Sequence, residues 1–400
     1  MFLVVIPLIF FKFKGFDVEG VFVLWRTKKC LGLIKKLSAY RFFTMLADLG
    51  IVFSFGLLGA LFFSKKKPLY SIKLYLTFLG LGTFLAFPGI INFIGSRSLV
   101  VFSLYFFGFA GFSVYYLAAG AWLIIMQYLQ GSTPVPMIQP IIPGVSIPGA
   151  PVQKIPIEAL VGLVILVIVH EFSHAIVALR EKIKVKSVGL VTVGLIPIGA
   201  FAEPDEKQMK KTKKEKRMRV YAAGSMANFS LALLLIPVLA GFQLFILPGV
   251  SESSYLRILE VQEGSPAFKA GIKPGMIIYN KEIGYLKKNP FQEVTLVTDK
   301  GNFTVKANAS GMIGIIFTQE VKQWSKEWLE LEAFIILNWA YLLNLFVGMF
   351  NCLPLGMLDG ARILEDLIPG KKPTRKKIVK ATSLIILILI VIGVIPYFIK

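Results

Sequence analysis

The chain has 400 residues, of which 56% are apolar and 17% are charged, and its mean hydropathy is +0.71. A water-soluble domain carries about 25% charged residues, so the composition excludes an ordinary soluble protein and predicts a helical protein that crosses a membrane several times. The formal charge of +21 does not call for nucleic acid, because lysine and arginine collect in the cytoplasmic loops of membrane proteins and beside anionic lipids.

The N-terminal part is predicted to hold a surface element and then several spans. Residues 1–41 contain a short apolar segment and an alternating stretch that predicts a β-hairpin at the membrane surface, followed by basic residues that indicate the cytoplasm. Residues 42–130 are predicted to form transmembrane helices at about 42–63, 74–94 and 99–129. Residues 131–156 hold seven prolines, which exclude a helix there and favour a membrane-associated loop.

The second half is predicted to contain four further spans, interrupted by other elements. Residues 157–249 hold spans at about 157–179 and 221–247, with one or two short strands at 188–202 between them and a solvated charged segment at 203–219. Residues 250–322 have a soluble composition. Residues 323–400 hold the last two spans, at about 331–353 and 381–399. The basic segments at 180–219 and 371–380 predict the cytoplasmic side of a cell membrane, which places residues 250–322 outside.

Both histidines of the chain lie in His170-Glu-Phe-Ser-His174, at the end of an apolar span. In an H-E-x-x-H helix the histidines lie one turn apart on one face, where both imidazoles can bind one metal ion, and Glu171 is the candidate general base. An accidental surface motif is the alternative in a soluble helix. It is disfavoured here, because polar groups at membrane depth are costly without partners.

A catalytic zinc site usually has three protein ligands, and the chain has no third histidine. Asp359 is the best candidate, since an acidic residue next to an apolar segment requires a partner or a metal. A helix-end cap or a salt bridge to Arg362 is the alternative role for this carboxylate. Weaker ligand candidates are Asp205, Glu203 and Glu158. We therefore expect one Zn²⁺ per chain.

Four motifs together resemble the site-2 protease family of intramembrane zinc metalloproteases, in particular its archaeal members. They are residues 170–174, the glycine-rich segment 194–204, the Ala-Gly-x-x-x-Asn element ending at Asn228, and the Asn-x-x-Pro-x-x-x-Leu-Asp-Gly element at 351–360. The resemblance implies a polytopic α-helical membrane protein with a site-2-protease-type core and short membrane-embedded β-strands. It also implies that His170, His174 and Asp359 bind zinc and that Glu171 activates water.

The same resemblance implies hydrolysis of peptide bonds in or near transmembrane segments of other proteins, close to the cytoplasmic side. Gly199, Asn228 and Asn351 are then candidates for substrate binding. For the two asparagines, hydrogen bonding between helices is an equally good interpretation. A transporter whose buried His, Glu and Asp conduct ions or protons is the alternative function.

Residues 250–322 resemble a small PDZ domain of the bacterial protease type, on Gly264-Ser-Pro-Ala267 and Ala270-Gly-Ile-Lys-Pro-Gly275. Such an α/β domain can bind a peptide C-terminus by adding a strand to its sheet. The alternative is a steric filter that excludes substrates with bulky ectodomains. We expect transmembrane protein substrates and the lipid bilayer as partners, and no nucleic acid.

Overall fold

The computed structural model describes residues 16–19, 22–28, 30–91, 97–147, 152, 154–193, 196–279 and 289–398. The short apolar segment predicted at the very N-terminus lies outside these residues. The chain divides into two compact units, Met1–Ile236 with Ile336–Lys400, and Pro237–Ile335. The finer division into six segments stays a prediction.

The described helices confirm the predicted polytopic fold, because seven of them are long and apolar enough to cross a membrane. In chain order the helices are α1 (Leu31–Ser38), α2 (Phe42–Ser64), α3 (Pro68–Ile91), α4 (Arg97–Leu129), α5 (Ala159–Arg180), α6 (Glu206–Lys211), α7 (Lys214–Gly241), α8 (Leu247–Glu252), α9 (Pro266–Lys269), α10 (Lys326–Asn351), α11 (Asp359–Leu367) and α12 (Lys372–Val394). The seven long ones are α2, α3, α4, α5, α7 (continued to Glu252), α10 and α12 (continued to Tyr397). The chain is therefore a multi-pass membrane protein.

Four helices begin earlier than hydropathy predicts. Helix α3 begins at Pro68 rather than near residue 74, α7 at Lys214 rather than near 221, α10 at Lys326 rather than near 331, and α12 at Lys372 rather than near 381. In each, the first two turns carry at least one lysine, whose long side chain keeps its charge in a polar environment while the backbone is already helical. Hydropathy marks the apolar part of a helix and misses such polar ends.

Most residues of the charged segment predicted at 203–219 are at least partly exposed, as predicted, but one of its charged side chains is buried. Its residues form the end of a strand, helix α6 and the first turns of α7, and Arg219 is only 9% exposed. Carboxylates surround its guanidinium: Glu215 lies four residues earlier on α7, while Asp48 and Glu181 come from elsewhere in the chain. The two distant partners leave no trace in a local charge pattern.

A four-stranded antiparallel sheet lies beside the helices of the first unit. Its strands are β1 (Phe16–Glu19), β2 (Phe22–Thr27), β3 (Val185–Val193) and β4 (Ile196–Pro204), in that order across the sheet. The predicted hairpin and the predicted strands are confirmed, but the hairpin is not separate, since β2 pairs with β3. Strand β4 has one neighbour among the described strands and forms an edge of the sheet.

The N-terminal helices pack directly on α7. The ring of Phe229 on α7 stacks on Phe109 of α4, with 4.6 Å between ring centroids, and lies 5.6 Å from Phe53 of α2. Helices α2 and α4 are both interrupted where they cross, at Gly56 (φ +54°) and Gly108 (φ +64°). A Cβ on either glycine would lie 2.5 Å from backbone atoms of the other helix, so this close crossing requires glycine.

The proline-rich stretch forms no helix in its described part, as predicted. The Met137 N–H donates to the carbonyl oxygen of Gly393 at 3.1 Å, and Gln139 exchanges two hydrogen bonds with the backbone of Val152. The first contact holds the loop on the C-terminal helix α12, and the other two join two parts of the loop. Its predicted association with the membrane stays a prediction.

The second unit contains a small sheet with its own core. Its strands are β5 (Tyr255–Val261), β6 (Ile277–Ile278), β7 (Glu293–Thr298), β8 (Gly301–Lys306) and β9 (Ile315–Glu320), in the order β8-β7-β6-β5-β9. Helix α9 is capped by Ser265, whose hydroxyl accepts a hydrogen bond from the Phe268 N–H at 3.2 Å. Ile258, Ile278 and Leu296 are buried in its core. The PDZ assignment stays a prediction.

Candidate metal centre

The structure brings together the three residues predicted as metal ligands. His170 and His174 lie one turn apart on α5, and their Nε2 atoms are 3.1 Å apart. Asp359 is the first residue of α11, and its Oδ2 atom lies 3.4 Å from Nε2 of His170 and 3.1 Å from Nε2 of His174. Three potential ligand atoms from two separate helices thus converge on one point.

The spacing of these atoms fits a zinc ion. Zinc in tetrahedral coordination at about 2.0–2.1 Å places neighbouring ligand atoms about 3.3 Å apart. The three observed separations, 3.1, 3.1 and 3.4 Å, are close to that edge length. A His₂Asp set also leaves the fourth tetrahedral position free, as in catalytic rather than structural zinc sites.

The Asp359 side chain is a negatively charged carboxylate, which is the form that binds a metal ion. Burial raises its pKa, but the positive charge of His174 and hydrogen bonds from both histidines outweigh burial and hold the pKa below its usual range. The carboxyl is therefore ionised at neutral pH. The alternative roles are not observed for it: the helix-capping position is Leu358, and the Arg362 guanidinium lies over the ring of Tyr221, 5.5 Å from its centroid.

The weaker ligand candidates have other partners. Asp205 caps α6 by accepting from the Gln208 N–H at 3.0 Å. Glu203 lies 3.4 Å from Nε of Arg26 and accepts a hydrogen bond from the Ser187 hydroxyl. Glu158 lies just before α5, at the opposite end of that helix from the histidines.

One face of α7 supports both imidazoles from behind. The carbonyl oxygen of Val220 lies 2.7 Å from Nδ1 of His174. One turn later, a Cβ on Gly224 would lie 2.5 Å from the Nε2 atoms of both histidines. One turn later again, Asn228 contacts Nδ1 of His170. The spacing of four residues places all three on one side of α7, and each imidazole therefore turns its Nε2 atom towards Asp359.

Asn228 is fully buried behind His170, which favours a supporting role over direct contact with substrate. Its Nδ2 atom lies 3.1 Å from Nδ1 of His170, while its Oδ1 atom has no described partner. When Nε2 of His170 binds a metal, Nδ1 carries the proton and must donate it. Turning the amide by 180° brings Oδ1 to that N–H and satisfies both groups.

Replacing Asn228 by alanine is expected to weaken zinc binding about 10- to 100-fold, because the tautomer and ring orientation of His170 are then no longer fixed. Competition with a fluorescent chelator on the purified protein measures this change. Ser230→Ala is the matched control, since the Ser230 hydroxyl bonds only within α7, to the carbonyl oxygen of Met226. An Asn228→Ala protein with wild-type zinc affinity would contradict the supporting role.

Glu171 points into a cavity of about 760 Å³ that opens beside the ligands. Its Oε2 atom accepts a hydrogen bond from the Ala202 N–H of β4 at 2.9 Å, which fixes the carboxylate against the edge strand. The residues lining the cavity include His170, Glu171, His174, Lys186, Ala202, Glu203, Tyr221, Asn351, Asp359 and Arg362. The cavity is as large as typical ligand sites and polar at the reactive end.

The predicted substrate-binding residues lie in three different places. Asn351, the last residue of α10, lines the cavity. Gly199 lies on the edge strand β4, opposite Val191 of β3. The sequence alone assigns no role in the site to Gly224, the Val220 carbonyl, Tyr221 or Arg362. Gly224 is the glycine of the Ala-Gly-x-x-x-Asn element, and the spacing of four residues between Val220, Gly224 and Asn228 is the signal for a common face.

Comparison with known proteins agrees with this geometry. The profile of peptidase family M50 matches residues 158–393. An uncharacterized protein of Methanocaldococcus jannaschii is 30% identical over 225 residues, which are 52% of this chain and 56% of that protein. A membrane-bound transcription factor site-2 protease homolog of Arabidopsis thaliana is 29% identical over 149 residues, 36% of this chain and 28% of that protein.

The chain thus spans about half or less of the length of these curated relatives. The family profile, in contrast, covers more than half of this chain and includes both ligand-bearing helices and the base. The predicted resemblance to site-2 proteases, with an archaeal relative among the matches, is confirmed. The chain belongs to peptidase family M50, a family of membrane-associated metallopeptidases.

Proposed function

We propose that this protein is an intramembrane zinc endopeptidase that hydrolyses peptide bonds in or near transmembrane segments of other membrane proteins. The observation that carries the proposal is the convergence of His170, His174 and Asp359 beside Glu171. These residues stand on or next to helices long enough to cross a membrane. The cavity beside these residues is also lined by charged side chains, which supports the access of water to the reaction.

The two histidines and Asp359 would hold the zinc ion, which supplies Lewis-acid chemistry and lowers the pKa of water at the open position. Glu171 then accepts a proton from the attacking water and donates it to the leaving amine. Its hydrogen bond from Ala202 keeps the carboxylate in place for both transfers. Asn351 lines the same cavity, and its side-chain amide would donate to the carbonyl oxygen of the scissile bond.

Strand β4 offers a way to bind the substrate. A transmembrane helix exposes no free backbone for hydrolysis, so it must unwind locally before it is cleaved. An unwound segment can pair with the edge of a sheet, and β4 is an edge strand whose Ala202 contacts the general base. Gly199 lies three residues before Ala202 on that strand, and the absence of a side chain there would let the substrate backbone approach closely.

The active site is proposed to lie towards the cytoplasmic side of the cell membrane, because α5 carries the histidines at the end that meets the basic residues 180–219. The PDZ-like unit would then be extracytoplasmic. There it would filter substrates by size or bind the C-terminus of a trimmed ectodomain. The transporter alternative is disfavoured by the peptidase family match.

The test uses the purified full chain in proteoliposomes with a reporter protein that has one transmembrane helix. Mass spectrometry is expected to find fragments cut within or near that helix. Dialysis against a strong chelator is expected to abolish them, and one equivalent of zinc to restore them, because the site needs the metal for catalysis. A tightly retained zinc, about one per chain, should accompany activity.

Two results would contradict the proposal. One is cleavage that is equally fast in the chelated protein. The other is a zinc-loaded protein that cuts soluble peptides but leaves every membrane-embedded reporter intact, which would retain the peptidase and reject the intramembrane site. A zinc-dependent ion flux without cleavage would favour the transporter.

A further inference from the structure

The first turns of α7 carry two arginines, Arg217 and Arg219, which bind carboxylates on different elements. Both side chains are mostly buried, with 18% and 11% of their surface exposed. They stand two residues apart, so they leave the helix about 200° from each other. The two side chains, here called the Arg217 arm and the Arg219 arm, therefore extend from opposite sides of α7, just before the face of this helix that supports the histidines.

The Arg219 arm reaches the end of the histidine helix. Its Nη1 atom donates to Oε1 of Glu181 at 3.0 Å, and Glu181 directly follows α5, two helical turns after His174. On the other side of the guanidinium, Nε and Nη2 donate to the two oxygens of Asp48 on α2, at 2.6 and 3.1 Å. The Tyr70 hydroxyl of α3 donates to the same Asp48 carboxylate at 2.9 Å.

The Arg217 arm reaches the helix that carries the third ligand. Its Nε and Nη2 atoms donate to the two oxygens of Asp366 at 2.9 and 2.6 Å. Asp366 is buried on α11, two helical turns after Asp359, and therefore lies on the same side of that helix. Arg375 of α12 also approaches Asp366, at 3.5 Å.

We propose that Arg217 and Arg219 are positioning residues, which clamp the histidine helix and the aspartate helix to one common support and so set the distance between His170, His174 and Asp359. The proposal rests on the metal site proposed above. Planar guanidinium groups bound at two points fix orientation as well as distance, which a single lysine charge would not. Through Asp48 and Tyr70, the clamp also makes the N-terminal helices α2 and α3 part of the support of the metal site.

The test measures the dissociation constant for zinc on the purified full chain, by competition with a fluorescent chelator. Arg217→Gln and Arg219→Gln are each expected to raise it about 10-fold, the lower end of the effect of losing a direct hydrogen bond to a zinc ligand, because the arginines act on the helices that carry the ligands and not on the ligands themselves. Arg217→Lys and Arg219→Lys should lie between the Gln variants and wild type. The control is Arg257→Gln, which removes an ion pair of 2.9 Å between β5 and β9 in the other unit and should leave zinc binding unchanged.

A merely stabilising role would lower the melting temperature of the variants without changing the zinc affinity of the folded protein. That outcome, with dissociation constants within twofold of wild type, would overturn the proposal. If the Gln variants do not fold, Glu181→Gln and Asp366→Asn weaken the contacts of the two arginines with the histidine helix and the aspartate helix with little change of shape, and they decide by the same criterion. Wild-type protein that binds no zinc would overturn the metal site itself and the clamp with it.

Discussion

A Gly224→Ala protein is expected to bind zinc at least about 100-fold more weakly than wild type and to lose its peptidase activity. The added Cβ would lie 2.5 Å from the Nε2 atoms of His170 and His174, which are the atoms that face the metal. Real Cβ atoms do not approach neighbours so closely, so the imidazoles must move. The helix itself cannot retreat without breaking the contacts of Val220 and Asn228 with the same two rings.

The matched control for this prediction is Gly241→Ala. Gly241 is the last residue of α7, and a Cβ on it meets no atom within 4 Å. The same methyl group is therefore added to the same helix in open space. Zinc affinity measured by chelator competition should fall only in Gly224→Ala, with both proteins folded as judged by circular dichroism. Equal zinc affinity in the two variants would show that the packing of α7 on the imidazoles is not required.

The sequence allows the reactive residues to be predicted better than their supports. His170, Glu171, His174 and Asp359 are recognisable because polar residues are rare and costly within apolar segments. Gly224 is not recognisable in this way, because glycine is common in membrane helices and its importance arises only from the approach of α5 to α7. Gly224 is the glycine of the Ala-Gly-x-x-x-Asn element, but the histidines lie 50 and 54 residues before it, and the local sequence does not show that they approach it.

Arg219 illustrates the same limit for charged residues. In sequence it belongs to a basic run, which predicts a solvated face. In the structure it is buried, and its partner Asp48 comes from a helix 171 residues away. The interruptions at Gly56 and Gly108 are also tertiary, since each glycine is required only by the backbone of the other helix. Apolar length therefore predicts how many helices there are, and long-range partners decide where they end, break and pair.

Replacing Glu171 by glutamine is expected to lower kcat for a cleavable transmembrane reporter by about 1000-fold while leaving KM and zinc affinity near their wild-type values. Glutamine has the same size and can still accept the hydrogen bond that the Ala202 N–H now donates to Glu171. It cannot take a proton from water at neutral pH. The loss should therefore appear in the chemical step alone.

Glu206→Gln separates this effect from a general loss of negative charge in the cavity. Glu206 lines the same cavity as Glu171, but its side chain is 84% exposed and pairs with Lys210 on the surface of α6. If the cavity needed negative charge only to attract zinc, both variants would bind zinc less tightly and lose activity together. If Glu171 transfers protons, only Glu171→Gln loses kcat, and it does so with the metal still bound. A Glu171→Gln protein that turns over within tenfold of wild type would exclude Glu171 as the base.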